Sequence, residues 1–513
     1  MNNYGSIGEK SDMEKDDISL SDPGAKPGNG SKKDQNLDDK SASTSMDPIE
    51  TPIEEALENA GLTWVHFKLL VIMGVIVMSD YIELEVNSLL GPVLLCEWEI
   101  SAFQEALLTS STYIGMCVGA ALWGKFSDKY GRRVVLQICS LIGTFSVIVS
   151  ATSQGPNLFA TSRFVGGFAV GGMHIAYTFV SECFGARLRA KAVFILFIAH
   201  YSGSIIGAVL AFFMLPEGGF GGWRLFIIFT TTPMFMIFIL VTHFCPESPR
   251  FLLISGESKK ALEVIQSFNR KQNENIILAP IVVKNRGSVG DLFRNLEQSI
   301  LLVSICSAFF FLRFQSLGLT LLYYENLQNP NADQNCDIFV ETYEKENECE
   351  LLKSSDYLQN ILFTNAQLVS AIVSTTLADA FGRRFAMYST SSLGTISLGL
   401  LLFCMPSILL TFSAMVAKFL ILASIMVIFL YVNELYPTYI RSLALGCVES
   451  ASRFGLILSP FVAQFLSKTS YPIALSIYIL SGVVAVILLQ AAKEETKNRV
   501  SEDSDLIDEN LKK

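Results

Sequence analysis

From Phe67 onward the chain reads as about twelve apolar runs, each near twenty residues long, and this succession constrains the fold more than any other feature. The runs lie at roughly 67–95, 103–124, 134–152, 157–180, 192–215 and 225–244, then at 299–322, 357–378, 386–405, 408–432, 442–466 and 471–491. A helix of that length crosses the hydrocarbon core of a bilayer, about 30 Å thick. Only helices or a closed barrel satisfy every backbone N–H and C=O in lipid. Bacterial-type barrels show alternating segments of about ten residues, a pattern this sequence lacks. The expected fold class is all-α: a polytopic membrane protein of twelve transmembrane helices in two six-helix bundles.

Composition agrees. The 513 residues are 51% hydrophobic and 17% charged, with mean hydropathy +0.43, whereas soluble domains carry about a quarter charged residues. The net charge of −10 sits mostly in tails and loops, and no basic stripe with interleaved aromatics suggests a nucleic-acid partner. Residues 1–60 read as a disordered tail, too poor in large apolar groups to offset their ordering entropy, with a brief amphipathic helix expected near Pro52–Ala60. Residues 61–244 form the first bundle and 299–492 the second. Between them, 245–298 is a polar linker with short amphipathic helices, and 493–513 is a second tail.

Orientation follows from the short loops. Lys125, Lys129, Arg132, Arg133, Arg187, Arg189, Lys191, Arg383, Arg384 and Arg441 fall after spans 2, 4, 8 and 10, so that side, with both tails, is expected to be cytoplasmic. The opposite loops are acidic or neutral, Lys468 being the main exception. The outer loop 323–356 is acidic and holds Cys336 and Cys349, for which a disulfide is expected if the loop faces the lumen or the outside. Cys117, Cys139, Cys306 and Cys404 lie inside apolar runs as small buried side chains.

Three features recur. Asp128 and Asp379 stand 251 residues apart, each followed by Gly at +3 and two arginines; Glu182 and Glu434 stand 252 apart, each with an arginine seven residues on, Arg189 and Arg441. Pro246-Glu247-Ser-Pro-Arg250 has an eroded echo in Glu494-Glu495-Thr-Lys497. A duplicated six-helix unit is the pattern of transporters whose halves rock about a site near the membrane midplane.

These residues carry a resemblance. Gly124–Arg133, Arg163-Phe-Val-Gly-Gly167-Phe-Ala-Val-Gly171 and Pro246–Arg250 resemble signatures of the major facilitator superfamily over residues 60–495. Ser79-Asp80-Tyr-Ile-Glu83, Cys96-Glu-Trp98, Arg187–Lys191 and Glu434-Leu-Tyr-Pro437 with Arg453 and Pro460 are similar to the synaptic vesicle 2-related proteins, near the organic cation and anion transporters. The resemblance implies that Asp128, Arg132, Arg133, Glu182, Arg189, Asp379, Arg383, Arg384, Glu434 and Arg441 form a duplicated cytoplasmic gate. It also implies that spans 1, 4, 7 and 10 line the cavity. Arginines that merely set topology are the plainer reading, but the acids add nothing to topology.

Asp80 and Glu83 share a helical face that Asn87 continues. Intramembrane acids mark ion paths, proton relays or buried pairs. They are expected either to bind a cation or proton or to form structural pairs with Arg313; Lys418 and Arg453 are further ligand candidates, and Glu449 stands one turn from Arg453. His174 and His200 are expected to serve packing, and Gly167 and Gly171 close helix packing. No metal site or cofactor is expected, for there is no CxxC pair and no His-rich cluster. Without a P-loop, HExxH or GxSxG motif the chain reads as neither a pump nor an enzyme. The leading expectation is a secondary transporter of a small, charged organic solute, coupled to protons or another cation, in a vesicle or plasma membrane. The alternative is a vesicle membrane protein that binds a ligand and regulates, with little transport.

Overall fold

Each of the twelve expected spans coincides with a helix in the computed structural model, which describes residues 50–51, 53–215, 222–268, 277–278, 289–293, 295–327, 353–403, 406–436, 438–493 and 495–496. Spans 1 to 6 are Trp64–Trp98, Ala102–Tyr130, Arg132–Ala151, Pro156–Val170 continued by Ile175–Cys183, Ala186–Met214 and Gly222–Phe244. Spans 7 to 12 are Leu296–Leu327, Ser354–Phe381, Arg383–Leu400, Ser407–Leu435, Thr438–Pro460 and Tyr471–Leu489. Among the described residues nine helices are long and apolar enough to cross a membrane. The other three, spans 1, 9 and 11, hold Asp80, Glu83 and Glu85, then Arg383 and Arg384, then Arg441, Glu449 and Arg453. In spans 1 and 11 the departure from a plain apolar pattern marks charge placed within the span, whereas the arginines of span 9 sit at its signature-loop end.

The connections explain where helices stop. Gly131 and Gly382 take φ of 101° and 90° between spans 2 and 3 and between spans 8 and 9, a backbone region that disfavours side chains. Ser101 opens span 2 with a capping box, its hydroxyl accepting from Gln104 N and Gln104 Oε1 accepting from Ser101 N. Span 4 breaks between Val170 and Ile175, next to Gly171 and Gly172. Span 11 passes Pro460, which offers no N–H, into a π-helical turn at Phe461–Leu466.

Within the first half, spans 2 and 4, 1 and 5, and 3 and 6 pack together; within the second, 7 and 11, 9 and 10, and 8 and 10. The halves meet through spans 2 and 11 and spans 5 and 8, which the duplication makes equivalent. Spans 2 and 4 touch backbone to backbone. A Cβ on Gly167 would lie 2.0 Å from Thr112 O, one on Gly171 2.6 Å from Met116 O, and ones on Gly115 and Gly119 2.1 Å from Phe164 O and Phe168 O.

Short helices at Ile53–Ala60, Pro249–Ile254 and Ser258–Phe268 pack Leu57, Leu252, Leu253, Ile265 and Phe268 into one apolar cluster with the lower part of the first half. A two-residue parallel pairing joins Glu50–Thr51 with Ile277–Leu278. Cys336 and Cys349 lie outside the described residues; Cys96 is disulfide-bonded, while Cys117, Cys139, Cys183, Cys245, Cys306 and Cys447 are free.

Candidate functional site

The two signature loops build the same charge network twice. In the first half Arg132 Nη2 meets Asp128 Oδ1 at 3.0 Å and Glu182 Oε1 at 2.9 Å, while its Nη1 donates to Ser127 O. In the second, Arg383 meets Asp379 and Glu434, each at 2.9 Å, and donates to Ala378 O. Glu247 Oε1 accepts from the backbone N–H of Arg132 (2.9 Å) and Arg133 (3.2 Å), which caps span 3 with an anion at its positive end. Glu495 does the same for span 9, accepting from Arg383 N at 2.8 Å and Arg384 N at 3.0 Å. Ser248 Oγ donates to Glu182, and Thr496 Oγ1 to Glu434. Arg133 and Arg384 donate to the backbone oxygens of Thr242 and Lys493. Arg189 and Arg441 donate to the carbonyls of Phe184 and Tyr436, closing the ends of spans 4 and 10. All these named contacts lie within one half, so each network clamps its own helices together.

The acids of span 1 separate into distinct environments. Glu83 Oε2 meets Arg163 Nη1 of span 4 at 2.6 Å, both side chains buried. Its partner is therefore Arg163, not Arg313, and Arg163 lies inside the bundle rather than snorkelling to the edge. Asn87 is engaged by span 2: its Nδ2 donates to Thr109 O at 2.9 Å and its Oδ1 accepts from Thr112 Oγ1 at 3.1 Å. These two bonds tie span 1 to span 2. Glu85 points toward the second half and accepts from Tyr324 Oη at 2.7 Å.

Asp80 differs from all three. It is 1% exposed, its Oδ1 has no hydrogen-bond partner, and its Oδ2 lies 3.7 Å from both His174 Nδ1 and His200 Nδ1. His200 also packs edge-on against Tyr81 and Tyr201, with ring centres 4.7 and 5.3 Å away. His200 Nδ1 also lies 3.0 Å from Val77 O; a carbonyl only accepts, so this nitrogen carries hydrogen. His174 stands at the break in span 4, half-buried, with its Nδ1 enclosed and without a hydrogen-bond partner.

The basic candidates of the second half also divide. Lys418 Nζ donates to Ser316 O at 3.2 Å and to Thr320 Oγ1, and it lies within electrostatic range of Glu85. Arg313 stacks its guanidinium over Phe309, 5.5 Å from the ring centre, and its buried Nε has no partner. Arg453 is 6% exposed. Glu449 and Arg453, one turn apart, form no ion pair among the described residues: Glu449 Oε2 instead accepts from Ser452 Oγ at 3.3 Å. Arg313, Arg453 and Glu449 all lie within electrostatic range of Asp80. An apolar cleft among Leu319, Leu322, Leu401, Leu410 and Leu475 shares no residue with this cluster and holds no acid or base.

At the end of the bundle opposite the signature loops, polar contacts join the halves. Glu105 Oε2 meets Lys468 Nζ at 3.1 Å and its Oε1 accepts from Gln464 Nε2 at 3.2 Å. Ser110 Oγ donates to Ile457 O at 2.9 Å and Glu85 meets Tyr324, while at the middle of spans 1 and 8 Tyr81 Oη donates to Gln367. Tyr324 Oη lies 2.8 Å from Asn360 Oδ1 while Asn360 Nδ2 is unpartnered; turning that amide over lets Nδ2 donate to Tyr324, whose one proton serves Glu85. Toward the signature-loop end, Phe197 of span 5 meets Phe429 of span 10 with ring centres 5.4 Å apart.

Sequence reading missed Arg163, Glu105, Tyr324, Gln367 and Gln464 as cross-helix partners, because each is a lone polar residue whose mate lies far along the chain. For Glu105 a signal existed: Lys468 is a basic residue on the acidic side, and a buried acid is the usual reason.

Comparison with known proteins matches residues 78–324 to the family described as Sugar (and other) transporter and residues 357–507 to that described as Major Facilitator Superfamily. The Synaptic vesicle 2-related protein of Bos taurus is 29% identical over 466 residues, covering 88% of this chain and 82% of that one. The protein of the same name from Xenopus laevis is 29% identical over 459 residues with the same coverage. Among solved structures, the xylose transporter XylE from E. coli in a partially occluded inward open conformation aligns with TM-score 0.67 at 18% identity, over 85% of this chain and 100% of that one. Two six-helix halves carrying the same charge network twice, matched half by half in this way, make the chain a member of the major facilitator superfamily of transporters, similar within it to the synaptic vesicle 2-related proteins.

Proposed function

We propose that this protein moves a small, charged organic solute across a vesicle or plasma membrane by alternating access, with Asp80 as the site where a proton couples to movement. The single observation that carries the reading is a buried carboxylate with an unpartnered oxygen, flanked by two histidines and facing charged residues of the other half. The signature loops and both tails are cytoplasmic on this reading, by the excess of Lys and Arg there. The cross-half bonds at Glu105, Ser110 and Glu85 then hold the outer side shut, while Phe197 and Phe429 narrow the inner path. Each signature network keeps its half rigid, and Asp128 latches the inner side when the outer side opens. Structures of the proton:xylose symporter XylE share the fold, and proton coupling on this scaffold is in keeping with the reading. The test is solute uptake into proteoliposomes with and without an inward-acid gradient. Asp80→Asn is expected to abolish the gradient's stimulation while leaving solute exchange intact; an Asp80→Asn protein that responds to the gradient as the native one does would sink the proposal.

A further inference from the structure

Two guanidinium groups of the second half stand within electrostatic range of Asp80 and Glu449, yet among the described residues no carboxylate is in contact with either. Among the described residues, Arg313 and Arg453 make no ion pair and donate no hydrogen bond, although Arg453 is nine-tenths buried and Arg313 Nε is fully enclosed. A buried guanidinium normally has a bidentate carboxylate or phosphate partner. Their helices are in register: Ser459 Oγ donates to Phe314 O, and a Cβ on Gly455 would lie 2.5 Å from Phe310 O, so the two arginines project from adjacent helices about one and a half turns apart. Tyr81, Tyr177 and Tyr201 of the first half lie within electrostatic range of Arg313, and Tyr177 Oη is buried without a partner.

Counting charge defines what is missing. Glu83 and Arg163 cancel each other in a closed pair, and Lys418 faces Glu85. The groups facing Asp80 that remain are His174 and Tyr177 of span 4, His200 and Tyr201 of span 5, Arg313 of span 7, and Glu449 and Arg453 of span 11. With neutral histidines and tyrosines, the two acids and two arginines sum to zero while Asp80 is ionised. One proton on Asp80 leaves one positive charge unanswered.

We infer that Arg313 and Arg453 form the binding site for a small organic monoanion, held against the tyrosines of the first half and carried together with the proton on Asp80. This rests on the transport reading above and gives it a substrate class. A neutral sugar would leave that positive charge unanswered, and an organic cation would add a like charge to it. Because the acid and the arginines share one field, proton and anion each favour the other's binding, and the movement is electroneutral.

The experiment measures binding by thermal shift and by isothermal titration on the purified full chain, apart from transport. The probes are benzoate, phenylacetate and benzenesulfonate, with tetraethylammonium and glucose for comparison. The anions are expected to bind and to bind more tightly as pH falls, approaching tenfold per unit where one proton is taken up. Arg313→Gln and Arg453→Gln should each weaken binding at least 30-fold; should either fail to fold, Arg313→Lys and Arg453→Lys keep the charge but lose the planar fork and should retain part of the affinity. Asp80→Asn should bind the anion without pH dependence. Absence of anion binding, or equal binding by the Gln variants, or preferential binding of tetraethylammonium, overturns the inference. Uptake of tetraethylammonium without anion binding would leave the transport reading standing alone, and uptake of glucose alone would refute the charged-solute part of that reading as well. Anion binding without uptake would support the site and refute transport.

Discussion

Replacing Lys468 with alanine should tip the protein toward its outward-open arrangement, and the size of the effect follows from burial. Glu105 is fully buried at the seam between spans 2 and 11, where Lys468 Nζ and Gln464 Nε2 are its named partners; Lys468 itself is 30% exposed. Removing one partner of a buried ion pair costs about 3–5 kcal/mol when the other charge stays in place. Gln464 still donates and the lysine end is partly wet, so roughly 2 kcal/mol is a fair share for this pair. In the outward-open state both groups meet water, so the loss falls on the closed outer side alone. At about 1.4 kcal/mol per tenfold, the ratio of outward to inward forms rises about 30-fold. Spin labels at Thr152 and Ser355, exposed residues at the outer ends of spans 3 and 8, would report this by electron–electron distance measurement in liposomes. The variant should gain a longer-distance population, and Glu105→Gln/Lys468→Gln should return it toward the native distribution. An unchanged distribution in Lys468→Ala would show that this pair does not hold the outer side.

The clamp at each signature loop gives a test of the duplication. Glu247→Ala and Glu495→Ala each remove an acceptor shared by two backbone N–H groups and should lower stability by about 1–2 kcal/mol, read as a fall in melting temperature; a silent Glu495→Ala would mean that the second copy is decorative. Gly167→Val should abolish folded protein, since even its Cβ would lie 2.0 Å from Thr112 O, whereas Gly124→Ala, with nothing within 4 Å, should be neutral or slightly stabilising; equal yields would refute the close approach of spans 2 and 4. Arg163→Gln should cost about 3–5 kcal/mol by stranding Glu83, and Glu83→Gln/Arg163→Gln should recover most of it; a double variant no better than the single one would deny the pair.

How much of this was legible in the sequence depends on the range of the interaction. The spans were legible because length and hydropathy act locally. So was the repeat, since Asp128 and Asp379, or Glu182 and Glu434, keep constant spacing. Even the eroded copy at Glu495 performs the capping task of Glu247, although proline, serine and arginine around it have changed. Capping a helix needs one carboxylate at the right place and little else, so the acid persists where the motif does not. Partner choice was another matter. Asp80, Glu83 and Asn87 lie on one face of span 1 by spacing alone, yet Glu83 meets span 4, Asn87 meets span 2 and Asp80 meets spans 4 and 5. Helical periodicity says which residues share a face, not how three neighbouring helices divide it.

That division bears on mechanism. An acid already held by an arginine at 2.6 Å, as Glu83 is, must give up that contact before it can serve a ligand, whereas Asp80 has an oxygen with no bond to break. On the proposed reading, span 1 keeps one carboxylate for holding the first half together, one, Glu85, for meeting the second half at the outer seam, and one, Asp80, for exchange with whatever enters. Because Glu85 and Asp80 stand on the same rigid helix, any rotation that draws Glu85 away from Tyr324 also moves Asp80 relative to Arg313 and Arg453. The proposed mechanism therefore makes opening the outer side and changing the field at Asp80, through that shared helix, one event.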